Sequence, residues 1–301
     1  MIGPVLLKRA LKHTAGQASL AISRLARPGD PRLGAAQEAC IFYYHRIAPL
    51  EFVDPGTDDR NVTPAIFERQ IAGLAAEAEV VPLREVPPRC AGRRSSRKPL
   101  VSLTFDDGYV NFFSHALPIL RRYQMPATLF LVTDAIGSSA PFSFDAWARK
   151  NRHRTPADAW RPMTWDEVEQ CVASGLITIG AHSHRHLKGP ECTREELVEE
   201  VERSREILTA RFGEVNAYAY PYGSSRHGYV SDDYVAAVRG AGFEMAVTTD
   251  LDLARRDSDP YRLPRLEVFA LDSPEMLRAK ALGSFGPLRL TDRLRKAKRA
   301  V

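Results

Sequence analysis

The sequence predicts an α/β barrel of seven or eight parallel strands, and three observations lead there. Short apolar runs recur along the chain, each bounded by turn residues. Amphipathic helical patterns separate them. The runs are apolar throughout instead of alternating, as strands buried on both faces are, and that marks a parallel sheet covered by helices. Composition allows such a core: 44% of residues are hydrophobic and 26% charged, which excludes wholesale disorder. At 301 residues the chain fits one large domain or two ordinary ones.

Residues 1–38 read as a basic, amphipathic N-terminal segment. Leu7, Leu11, Ala18, Ala21, Ile22 and Leu25 fall near one helical face with cations on the other, and Pro28-Gly29 ends the pattern. It fits either a helix packed on the domain or one lying in a membrane interface. Lys8, Arg9 and Lys12 interrupt any apolar core of signal-peptide quality, and no stretch is long enough to span a bilayer. The expected location is therefore the cytoplasm or the inner face of the membrane.

The central domain is expected over 39–272. Its strands are "ACIFYY" (39–44), "LVSLTF" (100–105), "ATLFLV" (127–132), "LITIGA" (176–181), "AYAY" (217–220), "EMAVTT" (244–249) and "LEVFA" (266–270). Helices are expected over 64–78, 111–123, 164–174, 193–212 and 231–241. Thr164 with Glu167 and Thr193 with Glu196 have capping-box spacing, and Gly175 and Gly213 supply the stops. Two segments interrupt the alternation. Residues 87–99 read as a basic, proline-flanked loop, and 137–162 as a long insertion that is either a functional lid or a surface elaboration. Residues 273–301 form a basic helix or tail carrying Arg289, Arg293, Arg295, Lys296, Lys298 and Arg299.

The basic ends account for most of the net charge of +5 and offer peripheral contact with anionic lipid or a lipid pyrophosphate. Without interleaved aromatics, helix-turn-helix or zinc-finger spacing, they argue against nucleic acid. The four cysteines, Cys40, Cys90, Cys171 and Cys192, form no C-x-x-C pair and suit idle thiols in a reducing compartment.

Three stretches carry chemistry. "LTFDDG" sets Asp106 and Asp107 at the C-terminal end of a buried strand, where α/β proteins build their sites, and Gly108 lets the chain turn. Successive residues there diverge, so one carboxylate is free to bind a metal while its neighbour faces a substrate; the plainer role of such a pair is helix capping. "IGAHSHRHLKG" offers His182, His184 and His186, of which the pair spaced i, i+4 converges on one ion if the segment bends. One carboxylate and two imidazoles leave open positions, as a catalytic metal needs, and imply hydrolysis. "AYAYPYGSSRHG" ends a strand in a rigid turn, where Tyr220, Pro221, Tyr222 and Gly223 offer a backbone N–H for an oxyanion and aromatic faces for a sugar ring.

In the order "TFDDG", "HSHRH", "YPYG", these stretches resemble the polysaccharide deacetylases, carbohydrate esterase family 4, and in style the branch with poly-N-acetylglucosamine deacetylases. The resemblance implies a distorted barrel of seven or eight strands and a metal-dependent hydrolase that removes N-acetyl groups from acetamido sugars of a glycan. By that likeness Asp106 is the general base. Asp107, His182 and His186 hold a divalent metal, zinc or else cobalt or nickel, and the Tyr222 amide helps hold the oxyanion. Two family features are missing: Ala219 stands where an Arg braces the base, and "RLPRLEVFALD" lacks a Leu-x-His acid. His45, at the end of the first strand and across the barrel seam from the last, is the expected acid, with His227 in reserve. Arg265 or Arg262 is the expected brace. The expected substrate is an N-acetylated glycan, with deacylation or deformylation of a polyprenyl-phosphate-linked sugar as a second reading and a catalytically impaired glycan-binding protein on the same fold as a third.

Overall fold

The computed structural model describes residues 36–49 and 61–284. The expected N-terminal amphipathic segment, up to residue 35, and the basic tail beyond 284 lie outside them.

The expected barrel strands form one parallel sheet. β1 (Ala39–Tyr44) and β5 (Leu100–Phe105) pair in register along their whole length and are wholly buried. β6 (Ala127–Leu131), β7 (Ile177–Ala181), β8 (Ala217–Ala219) and β9 (Met245–Val247) follow on one side of β5, and β10 (Leu266–Glu267) lies on the other side of β1. The ends meet through one short stretch. Leu263 donates to Ala246 O (2.9 Å) and accepts from Thr248 N (2.8 Å) beside β9, while Leu266 and Glu267 pair with Phe42 and Tyr43 of β1. That closes the sheet into a distorted barrel.

Three two-residue strands were beyond the pattern in the sequence: β2 (Arg46–Ile47), β3 (Asn61–Val62) and β4 (Glu79–Val80). β4 pairs with the first residues of β5, which β6 does not reach.

Strand alternation sorts side chains onto two faces. Phe42, Tyr44, Leu103, Phe105, Leu129 and Leu131 pack outward under the helices, while Ile41, Phe130, Ala219 and Val247 belong to a second cluster inside the sheet. The inner face narrows at Gly180, where a Cβ would lie 2.3 Å from the Phe130 ring. On β5 the same alternation puts Ser102, Thr104 and Asp106 on the inner face, all buried.

The helices follow the expected limits closely. α1 (Pro64–Glu77) is capped by Thr63 and buries Phe67, Gln70, Ile71 and Leu74. α2 (Val86–Ala91) corrects the reading of 87–99 as loop throughout. Pro87 and Pro88 fall in its first turn, where a missing N–H costs nothing, and Val86 and Cys90 bury one side. α3 (Leu117–Arg122) follows a π turn at Phe112–Ala116, and α4 (Ala146–Asn151) lies within the insertion. α5 (Trp165–Ala173) and α6 (Arg194–Phe212) carry both capping boxes in full. α7 (Asp232–Gly240) and α8 (Pro274–Ala281) complete the shell. α8 packs on α1 so closely that a Cβ on Gly73 would lie 2.4 Å from Pro274. Cys40, Cys90 and Cys171 are buried thiols and Cys192 is half-buried. Among the described residues, no helix is long and apolar enough to cross a membrane.

Candidate active site

Asp106 and Asp107 leave β5 at the C-terminal mouth of the barrel and part at once. The Asp106 N–H donates to Tyr44 O (3.0 Å), continuing the ladder, whereas Asp107 turns with φ +76° and Gly108 with φ +94°. Gly108 is needed twice, for that backbone and because a Cβ would meet Leu131 at 2.8 Å and Ile136 at 2.9 Å.

Asp106 faces Arg265, which lies just ahead of β10 and is fully buried. The guanidinium grips the carboxylate in a fork, Nη1 to Oδ1 at 2.7 Å and Nη2 to Oδ2 at 2.8 Å. It also donates to Thr104 Oγ1 and Thr248 O, both at 3.0 Å, and lies over the Tyr43 ring at 4.7 Å. Burial opposes ionisation of Asp106, but Arg265, with His182 and His45 beyond it, outweighs burial and holds the carboxyl at about 2. Of the two arginines expected as brace, Arg265 is the one that reaches. Arg262 pairs with Asp232 and Asp259 at the surface.

Asp107 faces the histidines. Its Oδ1 lies 3.5 Å from His182 Nε2 and 3.7 Å from His186 Nε2. One ligand atom from each of the three residues falls within 4.8 Å of the others, and all three are buried. His182 Nδ1 bonds Ala219 O at 2.7 Å, which assigns the proton to Nδ1 and leaves Nε2 with its lone pair toward Asp107. His186 is set by its loop: its N–H donates to Ser183 Oγ (2.8 Å), and Arg185 beside it bonds the buried Glu200 of α6 at 2.7 and 2.6 Å. Its Nδ1 is buried with no hydrogen-bond partner among the described residues. Burial lowers the pKa of both imidazoles, for His186 far below the ordinary value with His182 as second cause, so both are neutral donors. Two neutral nitrogens and a carboxylate oxygen fit a divalent ion with open positions. His184 turns away, its Nδ1 bonding Thr133 Oγ1 at 2.9 Å.

Backbone strain concentrates here. Of five non-glycine residues with positive φ among the described residues, four are Asp107, Ser183, His186 and Tyr222. Tyr222 (φ +61°) turns the "YPYG" segment so that its ring lies 5.0 Å from His186 and stacks on Tyr229 at 5.1 Å. Tyr222 O accepts from Thr249 Oγ1 (3.0 Å), Gly223 O accepts from Thr249 N (2.7 Å), and no acceptor among the described residues takes the Tyr222 N–H.

Tyr220 is a correction. It lies on the outward face of β8 and is fully buried, with its hydroxyl on Tyr261 O at 3.0 Å, so it offers no face to a sugar. Pro221 and Gly223 are buried too, which leaves Tyr222 as the half-buried aromatic of that turn. His227 also falls away, since it lies in an exposed turn bonded to Ser224 Oγ.

His45 sits between β1 and β2, half-buried, its ring 5.6 Å from that of Tyr43. Its neighbour Tyr44 accepts from the Asp106 N–H, which sets His45 beside the same mouth. One site residue left no sign in the sequence: Phe144 of the insertion stacks on His186 at 3.8 Å and 24°. The insertion thus reaches the site through Phe144.

The sequence model of the polysaccharide deacetylase family matches residues 93–246. The chain belongs to that family. It is a carbohydrate deacetylase, a hydrolase, on the family's distorted barrel. A poly-β-1,6-N-acetyl-D-glucosamine N-deacetylase of Staphylococcus epidermidis is 25% identical over 219 residues, 69% of this chain and 68% of that one. Its namesake in Staphylococcus aureus is 23% identical over 251 residues, 76% of this chain and 78% of that one. Among solved structures, the Streptococcus pyogenes deacetylase PplD superposes with TM-score 0.67 at 20% identity, covering 84% of this chain and 100% of its own. IcaB from Ammonifex degensii superposes with TM-score 0.64 at 22% identity, covering 81% and 97%. The family match contains both aspartates and both histidines. His45 and Arg265 fall on either side of it.

Proposed function

We propose that this protein is a metal-dependent N-deacetylase that hydrolyses the acetamido groups of a β-1,6-linked N-acetylglucosamine glycan. One observation carries the reading: two adjacent carboxylates have opposite partners, Asp106 a guanidinium and Asp107 two neutral imidazoles. The names of the staphylococcal relatives supply the sugar and linkage.

Asp107, His182 and His186 would hold the ion, zinc by the softness of this donor set, with cobalt or nickel suited to the same ligands. When bound, the ion supplies a Lewis acid for the amide carbonyl and a lowered pKa for water. Asp106, kept ionised and oriented by Arg265, takes the proton from the attacking water. The Tyr222 N–H donates to the oxygen that gains negative charge as water adds to the carbonyl carbon. His45 gives a proton to the sugar nitrogen as the C–N bond breaks, so acetate and a free amine leave. Arg265 supplies the brace whose apparent loss at Ala219 would favour a non-catalytic glycan binder.

The test is acetate release from β-1,6-linked N-acetylglucosamine oligomers, with a polyprenyl-phosphate-linked acetamido sugar in parallel and metal content by elemental analysis. Acetate from the soluble oligomer supports the reading. Acetate from the lipid-linked sugar alone would replace the substrate, and a folded, zinc-loaded protein silent on both would sink the activity.

A further inference from the structure

The residue after His45 is tied to the insertion. Arg46 is buried to 5% exposure and forms an ion pair with Asp145, the N-cap of α4. Arg46 Nη2 also donates to Tyr109 Oη (3.1 Å), and Tyr109 Oη donates to Asp145 Oδ2 (2.9 Å), closing a buried ring of three groups. The guanidinium packs between aromatic faces, 4.6 Å from the Tyr109 ring centroid and 5.3 Å from that of Trp147. Asp145 Oδ1 meanwhile caps α4 through Ala148 N (2.9 Å).

This knot lies one residue from His45 on one side and one from Phe144 on the other. Before His45, Tyr44 O accepts from Asp106 N. After it, Arg46 is held by Asp145 and Ile47 N donates to the buried Asn111 Oδ1 (3.0 Å). The chain is thus fixed on both flanks of His45, to the base on one side and to the insertion on the other. In the insertion, Phe144 lies on His186 directly before the clamped Asp145. A buried ion pair gives little net stability against an apolar replacement; what this one fixes is geometry, through the Nη2 contacts to Asp145 and Tyr109.

We propose that Arg46 and Asp145 are positioning residues that hold His45 in reach of the leaving nitrogen, with the insertion as their anchor. The proposal rests on the reading of His45 as acid. Arg46 touches no reacting atom; it acts through the backbone of its neighbour.

The test is a double-mutant cycle of Arg46→Met and His45→Ala, read as kcat and KM for oligomer deacetylation, with zinc content and melting temperature for each variant. Arg46→Met is expected to lower kcat by roughly 10²-fold, the low end of a general acid's contribution, with KM changed less than about threefold and zinc retained. In the His45→Ala background it should add less than about threefold. Arg46→Lys, which keeps the charge but not the fork, should recover part of the loss. Removing one member of a buried pair threatens folding, so Asp145→Asn serves as the second variant: asparagine keeps the helix cap and drops the charge. It should show the same loss and the same non-additivity. Losses that multiply in the double variant, or a folded Asp145→Asn with unchanged kcat, overturn the clamp. A neutral His45→Ala would instead overturn the acid assignment and the clamp with it, so the two failures are told apart by that single variant.

Discussion

The site is built from two regions that differ in how the chain brings them together. The mouth of β5 to β8 supplies Asp106, Asp107, His182, His186 and Tyr222 from three short motifs, all inside the family match at 93–246. The seam where β1 meets β10 supplies His45 and Arg265 from opposite ends of the domain, outside that match. Arg265 and Asp106 are 159 residues apart and share two short hydrogen bonds. The first region is local sequence chemistry: a strand ends, a turn is strained, and ligands converge. The second exists only because the barrel closes. Arg265 reaches Asp106 across that seam, so Ala219 does not leave the carboxylate without a cation.

Substitutions in the two regions should therefore fail differently. The largest effect belongs to the mouth. Asp107→Ala should lose the metal and at least about 10³-fold of turnover, since a Lewis acid is worth several kcal/mol and 1.36 kcal/mol is tenfold; zinc retained in a folded Asp107→Ala would break the assignment. Asp106→Asn should abolish acetate release yet keep zinc, because Asp106 faces Arg265 and not the histidines.

Next comes the seam. Arg265→Ala leaves a buried carboxylate without its cation and should cost about 3–5 kcal/mol by chemical denaturation, a penalty that Asp106→Asn in the same chain should largely relieve. No relief would mean that Arg265 stabilises through its Tyr43 and Thr248 contacts instead. His45→Ala should lower turnover by roughly 10²-fold with zinc and melting temperature unchanged.

The smallest effect is in pH. His182 and His186 are held below the ordinary histidine value of 6.5, so the unfolded chain binds more protons than the folded one below that value. Metal-free stability and metal affinity should both be full above about pH 6.5 and decline as pH falls through it. A flat melting temperature from pH 8 to 5 would contradict the buried neutral imidazoles.

The mouth was largely legible in the sequence because buried parallel strands are continuously apolar and end in residues that cannot continue them. β1 and β5 match their expected limits, and both capping boxes form. The i, i+4 spacing in "HSHRH" points to His182 and His186 only if the segment bends, and positive φ at Ser183 and His186 supplies that bend while His184 turns to Thr133. "AYAY" was read less well. Its alternation puts both tyrosines on one face, but nothing local says which face is inner, and Ala217 and Ala219 turn out to line the narrow interior. The seam was legible only as candidates, since Arg262 and Arg265 differ by one turn of chain and burial decides between them. Phe144 and the Arg46 knot had no signature, because insertion packing depends on surfaces that exist only once the barrel has formed. α2 hid behind two prolines that mark a helix start as well as a loop.

The closure through residues 263–267 also sets an order in time. During synthesis both aspartates and both histidines emerge well before Leu263, so the ligand set is complete while β1 and β9 are still open sheet edges and Asp106 has no guanidinium to face. The same short stretch is a thin junction of the finished barrel, with two residues in β10 against six in β1. Amide hydrogen exchange at Leu263 and Leu266 should accordingly run ahead of that at Leu103 and Leu129, and equal protection would remove the seam as a separate opening unit. The nascent chain would then carry Asp107, His182 and His186 before Asp106 meets Arg265, and the proposed activity would begin only when the last strand is in place.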